Sequence, residues 1–297
     1  MRVDPGYISN LVDALDGAQS REQQLSNQLA SGVRINALSD DPVAVGRNVL
    51  LLNQMQRDDA FTQSASLVTG RLQVADSALG SVVAQLNQAI SLATSANNGT
   101  KNASDLKAIA NQLAGILGEV ESLANSSYQG QYIFAGGKST TVPFSTSTST
   151  GTTTYAGDGD VNYVETPNGQ KVQLNVPGDQ VFLGSSSVFG ELNSLIADFA
   201  TGTVDSSQAE QDTEALSRAL KYVSQQRVLI DNSITQMTSA EGAVKTERTQ
   251  LAAEQAELMQ ADLATVATQL SLAKTQQTAL ESVIVQLGSG SLFDKLQ

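Results

Sequence analysis

The chain contains no cysteine, no histidine and no tryptophan. Without cysteine there is no disulfide framework, no thiol nucleophile and no thiolate metal site. Without histidine there is no Ser-His-Asp triad, no imidazole base and no zinc site of the usual kinds. A catalyst built here would need carboxylates, lysine, tyrosine or a bound cofactor. Charge is also scarce: 16% of residues against roughly 25% in an average domain. It leans negative, with 30 acidic and 17 basic side chains and a net charge of −13 over 297 residues. Nucleic-acid binders need a basic face, and anionic membrane surfaces attract basic segments. Neither partner fits. Aromatics are 4% of the chain, so the core must be built from Leu, Val, Ile and Ala. Apolar runs such as Val49-Leu50-Leu51-Leu52 fall far short of the ~20 residues that span a bilayer. The N-terminal stretch MRVDPGYISNLVDALDG lacks the layout of a cleaved signal peptide. That suggests the cytosol, or a route out of the cell that uses no cleaved signal.

Proline is equally informative by its absence. The five prolines are Pro5, Pro42, Pro143, Pro167 and Pro177. Proline removes a donor and clashes with the preceding helical turn, so residues 43–142 and the chain beyond 177 are free to be helical. Apolar residues there recur in steps of three and four, which is the helical signal. Ile8, Leu11, Leu15, Ala18, Leu25 and Leu29 form one stripe, interrupted by Glu22. Ala65, Val68, Leu72, Ala75, Leu79, Val82, Leu86, Ala89 and Ala93 form a second, and Leu106 to Leu123 a third. A fourth runs from Leu216 to Val244 through Arg227 and Glu241. After a one-residue phase slip a fifth follows: Met259, Leu263, Val266, Leu270, Ala273, Gln277, Leu280, Ile284 and Leu287. Coiled coil and ordinary antiparallel bundle both fit this periodicity. Asp41 reads as an N-cap with Pro42 at the first helical position. Asn97-Asn98-Gly99 reads as a stop, Ser104-Asp105 as a restart, and Gly288-Ser289-Gly290 as the last helix end.

The middle is a different material. Twelve of the 17 residues from Ser139 to Tyr155 are Ser or Thr, and eight of the 13 aromatics fall between Tyr128 and Phe189. Tyr132-Ile133-Phe134, Tyr155, Val161–Val164, Lys171–Leu174 and Val181-Phe182 alternate or cluster as strands do. Gly157–Asp160, Pro167-Asn168-Gly169 and Pro177-Gly178-Asp179 are turn signals. The reading is a mainly α chain: an elongated rod of long antiparallel helices formed by both termini, with a small β-rich insertion at the tip. Residues 1–42 and 258–297 form an inner coiled-coil domain, 43–136 and 190–257 a helical rod, and 137–189 the insertion. A lone pair of amphipathic helices is marginal, so the terminal segments are expected to order on association.

Motifs for chemistry mostly dissolve. Asp158, Asp160 and Asn162 resemble the start of a calcium loop, but Tyr163 and Gly169 stand where glycine and glutamate are needed. Gly136-Gly137-Lys138-Ser139 ends like a phosphate loop but lacks the upstream glycine, position 132 being Tyr132. Asp40-Asp41 is better explained as a cap before Pro42 than as a catalytic pair. Asn98-Gly-Thr100 and Asn102-Ala-Ser104 match the short glycosylation pattern. No catalytic residue, metal ligand or cofactor is assigned.

Two longer motifs carry a resemblance. Leu29 to Pro42, LASGVRINALSDDP, is similar to the flagellin-type N-terminal signature; it includes Ser31, Gly32, Arg34, Ile35, Asn36, Asp40 and Asp41. Gln129–Gly136, QGQYIFAG, which holds Tyr132, Ile133, Phe134, Ala135 and Gly136, is followed by Pro143-Phe144, Tyr155–Asp158, Val176–Gly178 and Val181-Phe182. This run resembles the flagellar hook-filament junction family, the hook-associated protein 3 branch of the flagellin superfamily. Leu270–Ala273 and Ser291-Leu292-Phe293 are similar to that family's terminal helix and tail. The resemblance implies a non-enzymatic, homo-oligomeric ring outside the cell, between hook-associated protein 1 and flagellin. It also implies export without a cleaved signal, with a cytosolic flagellar export chaperone. Ile8, Leu11, Leu15, Leu25, Leu29, Leu263, Val266, Leu270, Leu280, Ile284 and Leu287 are then the expected subunit contacts, unless they form only an intrachain core. Arg34, Ile35 and Asn36 would sit in the bend between inner and outer domains. Two other functions stay open: a short flagellin forming the filament, and a secreted sugar-binding or enzymatic module in the insertion.

Overall fold

The computed structural model describes residues 5–97, 101–147, 152–184 and 187–289. The side chains of Ile8 and Leu287, the Asn98-Gly99 stop and the Ser291–Gln297 tail lie outside the described residues. The elements are α1 (Pro5–Ser31), α2 (Pro42–Ala96), α3 (Ala103–Ala124), β1 (Ser127–Tyr128), β2 (Gln131–Tyr132), β3 (Phe144–Thr146), β4 (Thr153–Tyr155), β5 (Tyr163–Glu165), β6 (Lys171–Gln173), α4 (Gly178–Phe182), α5 (Val188–Ala200), α6 (Ser206–Met259) and α7 (Leu263–Ser289). The chain is mainly helical, and among the described residues the strands are confined to the segment between α3 and α4. No helix among the described residues is long and apolar enough to cross a membrane. Two compact units result, one from residues 1–58 and 246–297 and one from 59–245.

In the first unit α1 packs on α7. Leu25, Ala261, Val266 and Ala273 are buried together with Leu270 against them. Leu11, Leu15, Leu280 and Ile284 are half-buried. Glu22, the polar break in the first stripe, lies 3.9 Å from the Lys274 ammonium of α7. The two terminal stripes thus pair within one chain. Leu29 and Leu263 depart from that pattern: at 38% and 48% exposure they stand off the seam. Leu29 occupies the last turn of α1 and Leu263 the first residue of α7. The phase slip between the fourth and fifth stripes is a physical break. Residues 260–262 separate α6 from α7, and Asp262 caps the new helix by accepting from the amides of Ala264 (3.1 Å) and Thr265 (3.3 Å). The Thr265 hydroxyl and these amides hold the Asp262 carboxyl below its usual range.

In the second unit α2, α3, α5 and α6 share one core. Leu79, Val82, Leu86, Ala89, Leu113, Val120, Leu192, Leu195, Leu216 and Val223 are fully enclosed or nearly so. Each large side chain contributes about 1.5–3 kcal/mol by leaving water. The charged break in the fourth stripe is satisfied across the core: Arg227 donates to both Asp76 oxygens, at 2.6 and 3.2 Å. Helix ends follow capping rules with one shift. Ala44 N–H donates to Asp41 Oδ1 at 3.0 Å, so Asp41 caps α2 as its sequence suggests. The restart before α3 is capped by Asn102 instead of Ser104, in a reciprocal box with Asp105. Asn102 Oδ1 accepts from the Ser104 and Asp105 amides, at 2.8 and 2.9 Å.

The strands form three antiparallel hairpins, β1–β2, β3–β4 and β5–β6. Gln129 (φ 51°) and Gly130 (φ 78°) make the two-residue turn that matches strand twist. Described residues within the Ser/Thr-rich stretch belong to the second hairpin. Phe144–Thr146 pairs with Thr153–Tyr155, and hydroxyls face across it at 2.8 Å (Thr146, Thr153) and 3.0 Å (Ser145, Thr154). Such cross-strand pairs stabilise a hairpin. Two strand expectations are corrected. Val181-Phe182 lies in α4, because Pro177 has its φ near −62° and leads into a helix. Only Tyr132 of Tyr132-Ile133-Phe134 is in a strand; Ile133 and Phe134 turn into the core, where Phe134 O accepts from Gly178 N–H at 2.8 Å.

Candidate functional site

The segment LASGVRINALSDDP builds a joint. Gly32 ends α1 in the left-handed region at φ 70°, a conformation that costs other residues about 1–2 kcal/mol. The chain then runs beside the α6–α7 break. Val33 bridges Gln260, Arg34 N–H donates to Met259 O at 2.7 Å, and Ala261 N–H donates to Gly32 O at 2.9 Å. The Arg34 guanidinium reaches Leu258 O at 3.0 Å and sits 3.7 Å from Asp41. Ile35 is buried at 4% exposure. Asp40 Oδ2 accepts from the Asn36 and Ala37 amides, both at 3.0 Å. Ser31 donates to Asn27 O at 2.8 Å and Gln28 to Arg34 O at 2.7 Å. Asp40 and Asp41 therefore tie down backbone amides on either side of Pro42.

This joint joins residues more than 200 positions apart with backbone bonds, and Arg34 alone contributes both a main-chain and a side-chain donor. Substituting Arg34 by alanine removes the guanidinium bond and the exposed ion pair. The expected loss is about 1 kcal/mol, since the side chain is half exposed and such pairs are screened. A protease that cuts after glutamate should then cleave at Glu257 faster than in the unaltered chain. An unchanged rate would show that the backbone bonds alone hold the joint.

The GQYIFAG run builds the second unit's aromatic centre. Ile133, Phe134, Ala135 and Gly136 are all buried, while Tyr132 is half-buried. Phe134 meets Phe182 edge-on at 5.4 Å, and Phe144 touches Tyr155, Phe182 and Phe189 at 5.0–5.3 Å between ring centres. The Tyr155 hydroxyl donates to Phe134 O (3.0 Å) and Asp158 O (2.8 Å). Burial, then the charge of Asp179, pushes its pKa to about 12. The ring cluster takes Phe134 from the segment after β2, Phe144 from β3, Phe182 from α4 and Phe189 from α5. A further cluster sets Val172 of β6 against Ala65 and Met237 of α2 and α6. The hairpins are thus continuous with the helical core.

The motifs that suggested chemistry are occupied structurally. Asp158 Oδ1 accepts from Gly137 N–H at 2.6 Å and Asp160 N–H at 3.3 Å, and Asn162 N–H donates to Asn175 Oδ1. Among the described residues no group of three or more acidic side chains is placed to hold a metal ion. Neither the joint nor the aromatic centre places a nucleophile beside a base. Both arrangements hold backbone in place.

Comparison with known proteins agrees with this structural character. The model of the bacterial flagellin N-terminal helical region matches residues 8–139, which contain the joint segment and the GQYIFAG run. The flagellar hook-associated protein 3 of Escherichia coli is 25% identical over 216 residues, 68% of this chain and 67% of that protein. The Salmonella typhimurium protein of the same name is 29% identical over 143 residues, 48% of this chain and 45% of its own length. A putative flagellar hook-associated protein from Vibrio parahaemolyticus has the same fold, with TM-score 0.68 and 19% identity over 74% of this chain and all of that one. Over residues 8–139 the chain is therefore similar to the bacterial flagellin N-terminal helical region, and it is similar to two proteins named flagellar hook-associated protein 3.

Proposed function

We propose that this chain is the structural adaptor that joins the flagellar hook, through hook-associated protein 1, to the flagellin filament. The observation that carries the reading is the match to two curated proteins named flagellar hook-associated protein 3. The subunits form a ring outside the cell, after export without a cleaved signal peptide and with a cytosolic chaperone.

Large apolar side chains left in water support an assembling subunit. In the first unit Val43 is 82% and Leu50 70% exposed, and Val12, Leu29, Leu263, Leu272 and Val285 also face solvent. A unit of so few buried side chains leaves these faces for neighbours. Leu11, Leu15, Leu25, Val266, Leu270, Leu280 and Ile284 hold the α1–α7 seam. Leu29 and Leu263, off that seam, are contacts for the next subunit, and such head-to-tail contacts generate rings. In this reading residues 1–42 and 258–297 line the inside, 43–136 with 190–257 form the rod, and 137–189 project outward.

A deletion strain tests the adaptor. Loss of the chain should leave hooks without filaments and flagellin in the medium. The flagellin N-terminal match supports one competing reading, a short flagellin. In that case deletion would remove the filament protein itself and no flagellin would be shed.

A further inference from the structure

We propose that Asn168 is a deamidation site which the folded chain holds shut, with Thr166 as the latch. This inference is independent of the flagellar reading. Asn168 and Asn98 are the two asparagines followed by glycine in the sequence, and Asn98 lies outside the described residues. Asn168 and Gly169 are both exposed, in the turn between β5 and β6. Gly169 has no side chain to shield its nitrogen, and nothing lies within 4 Å of where a Cβ would stand.

The chemistry needs only these two residues and water. The Gly169 nitrogen gives up its proton and bonds to Asn168 Cγ. The bond from Cγ to the side-chain nitrogen breaks, and that nitrogen leaves as ammonia with the proton. Water then opens the resulting imide ring at one of its two carbonyls. The product at 168 is aspartate or its β-linked isomer, and nothing is oxidised or reduced. The attack requires the nitrogen and Cγ to swing into line with each other, so whatever fixes either atom elsewhere slows the step.

One residue fixes both. Gly169 N–H donates to Thr166 O at 2.8 Å, which holds the nucleophile. The Thr166 hydroxyl donates to Asn168 Oδ1, which holds the carbonyl to be attacked. That hydroxyl also lies 3.0 Å from Gln170 O and accepts from Gln170 N–H at 3.1 Å, and Thr166 N–H donates to Gln170 O at 2.8 Å. Thr166 is itself 3% exposed, so its side chain has no competing water. The hairpin below the turn is anchored: Val172 of β6 is fully buried against Ala65 and Met237, with Val164 and Leu174 packed beside it. Reaction therefore waits on local opening of the turn, and its rate follows the population of the open form.

The change runs one way. The β-linked product inserts an extra carbon into the backbone of the turn, and the pairing of Glu165 with Lys171 can no longer close over it. Each molecule thus keeps a chemical record of having opened here.

The test is site-resolved peptide mapping of the full chain after incubation in mildly alkaline buffer. Conversion at Asn168 should be slower in the folded chain than in the chain unfolded in guanidinium chloride, by on the order of tenfold. Thr166→Ala removes the hydroxyl latch and should speed conversion in the folded chain by about fivefold, the effect of one lost hydrogen bond on the open population. Thr166→Ser keeps the hydroxyl and should stay close to wild type. Equal rates in the folded and unfolded wild type would overturn the protection, and this comparison needs no variant. No conversion at Asn168 even when unfolded would overturn the site. Thr166→Ala matching wild type, or Thr166→Ser as fast as Thr166→Ala, would overturn the latch.

Discussion

Replacing Gly136 by alanine is expected to destabilise the second unit by about 3–5 kcal/mol. Gly136 holds φ 67°, so any Cβ pays the left-handed strain of about 1–2 kcal/mol. The greater part comes from space. A Cβ at this position would lie 2.2 Å from the backbone oxygen of Asp158. That oxygen cannot withdraw cheaply. Asp158 N–H donates to Ala135 O, its carboxylate accepts from Gly137 N–H, and its carbonyl accepts from the Tyr155 hydroxyl. Moving Asp158 therefore loosens Tyr155, which packs on Phe144 at 5.0 Å. Urea unfolding followed by near-ultraviolet tyrosine dichroism reads the loss. Gly130→Ala is the control: its φ is 78° but nothing lies within 4 Å of a new Cβ, so only about 1–2 kcal/mol should be lost. Equal losses at the two glycines would refute the role given to the Asp158 contact.

Placing aspartate at Val43 and Leu50 together is expected to abolish assembly while leaving the isolated subunit folded. The two residues are seven apart on α2, hence on one face, and are 82% and 70% exposed. Little burial is lost in the free chain, so its melting point should move by no more than about 2–4 °C. In the proposed ring each carboxylate would be desolvated without a partner, a cost of several kcal/mol per site. Introduced into the deletion strain, the double variant should shed flagellin as the deletion does. Normal filaments would show that this face touches no neighbour. A collapsed melting point would show that it is part of the intrachain fold.

The helical portion of this fold was legible because its signal is repetitive. Every residue of the Ala65–Ala93 stripe is buried or half-buried, and the break at Arg227 found a partner in Asp76. The phase slip near residue 259 was visible in the sequence, but the meaning of the slip was not. Its consequence depends on Gly32, Val33 and Arg34 arriving from the other end of the chain, and periodicity carries no such information. Shorter elements were harder to read. Val181-Phe182 is a β-favouring pair, yet tertiary packing of Phe182 against Phe134 and Phe144 and the preceding Pro177 put it in a helix.

The joint also bears on when the molecule becomes complete. The Arg34 bond to Leu258 spans 224 residues, and loops of that length close late because their entropy must be spent before any contact repays it. The hairpins, with partners a few residues apart, and the α3–α5 packing close far shorter loops. A chain emerging from its N-terminus has residues 32–36 in hand almost at once, but their partners at 258–261 arrive only when nearly nine-tenths of the sequence is out. The joint is therefore a completion signal: it locks only in a molecule whose second long helix has been delivered in full.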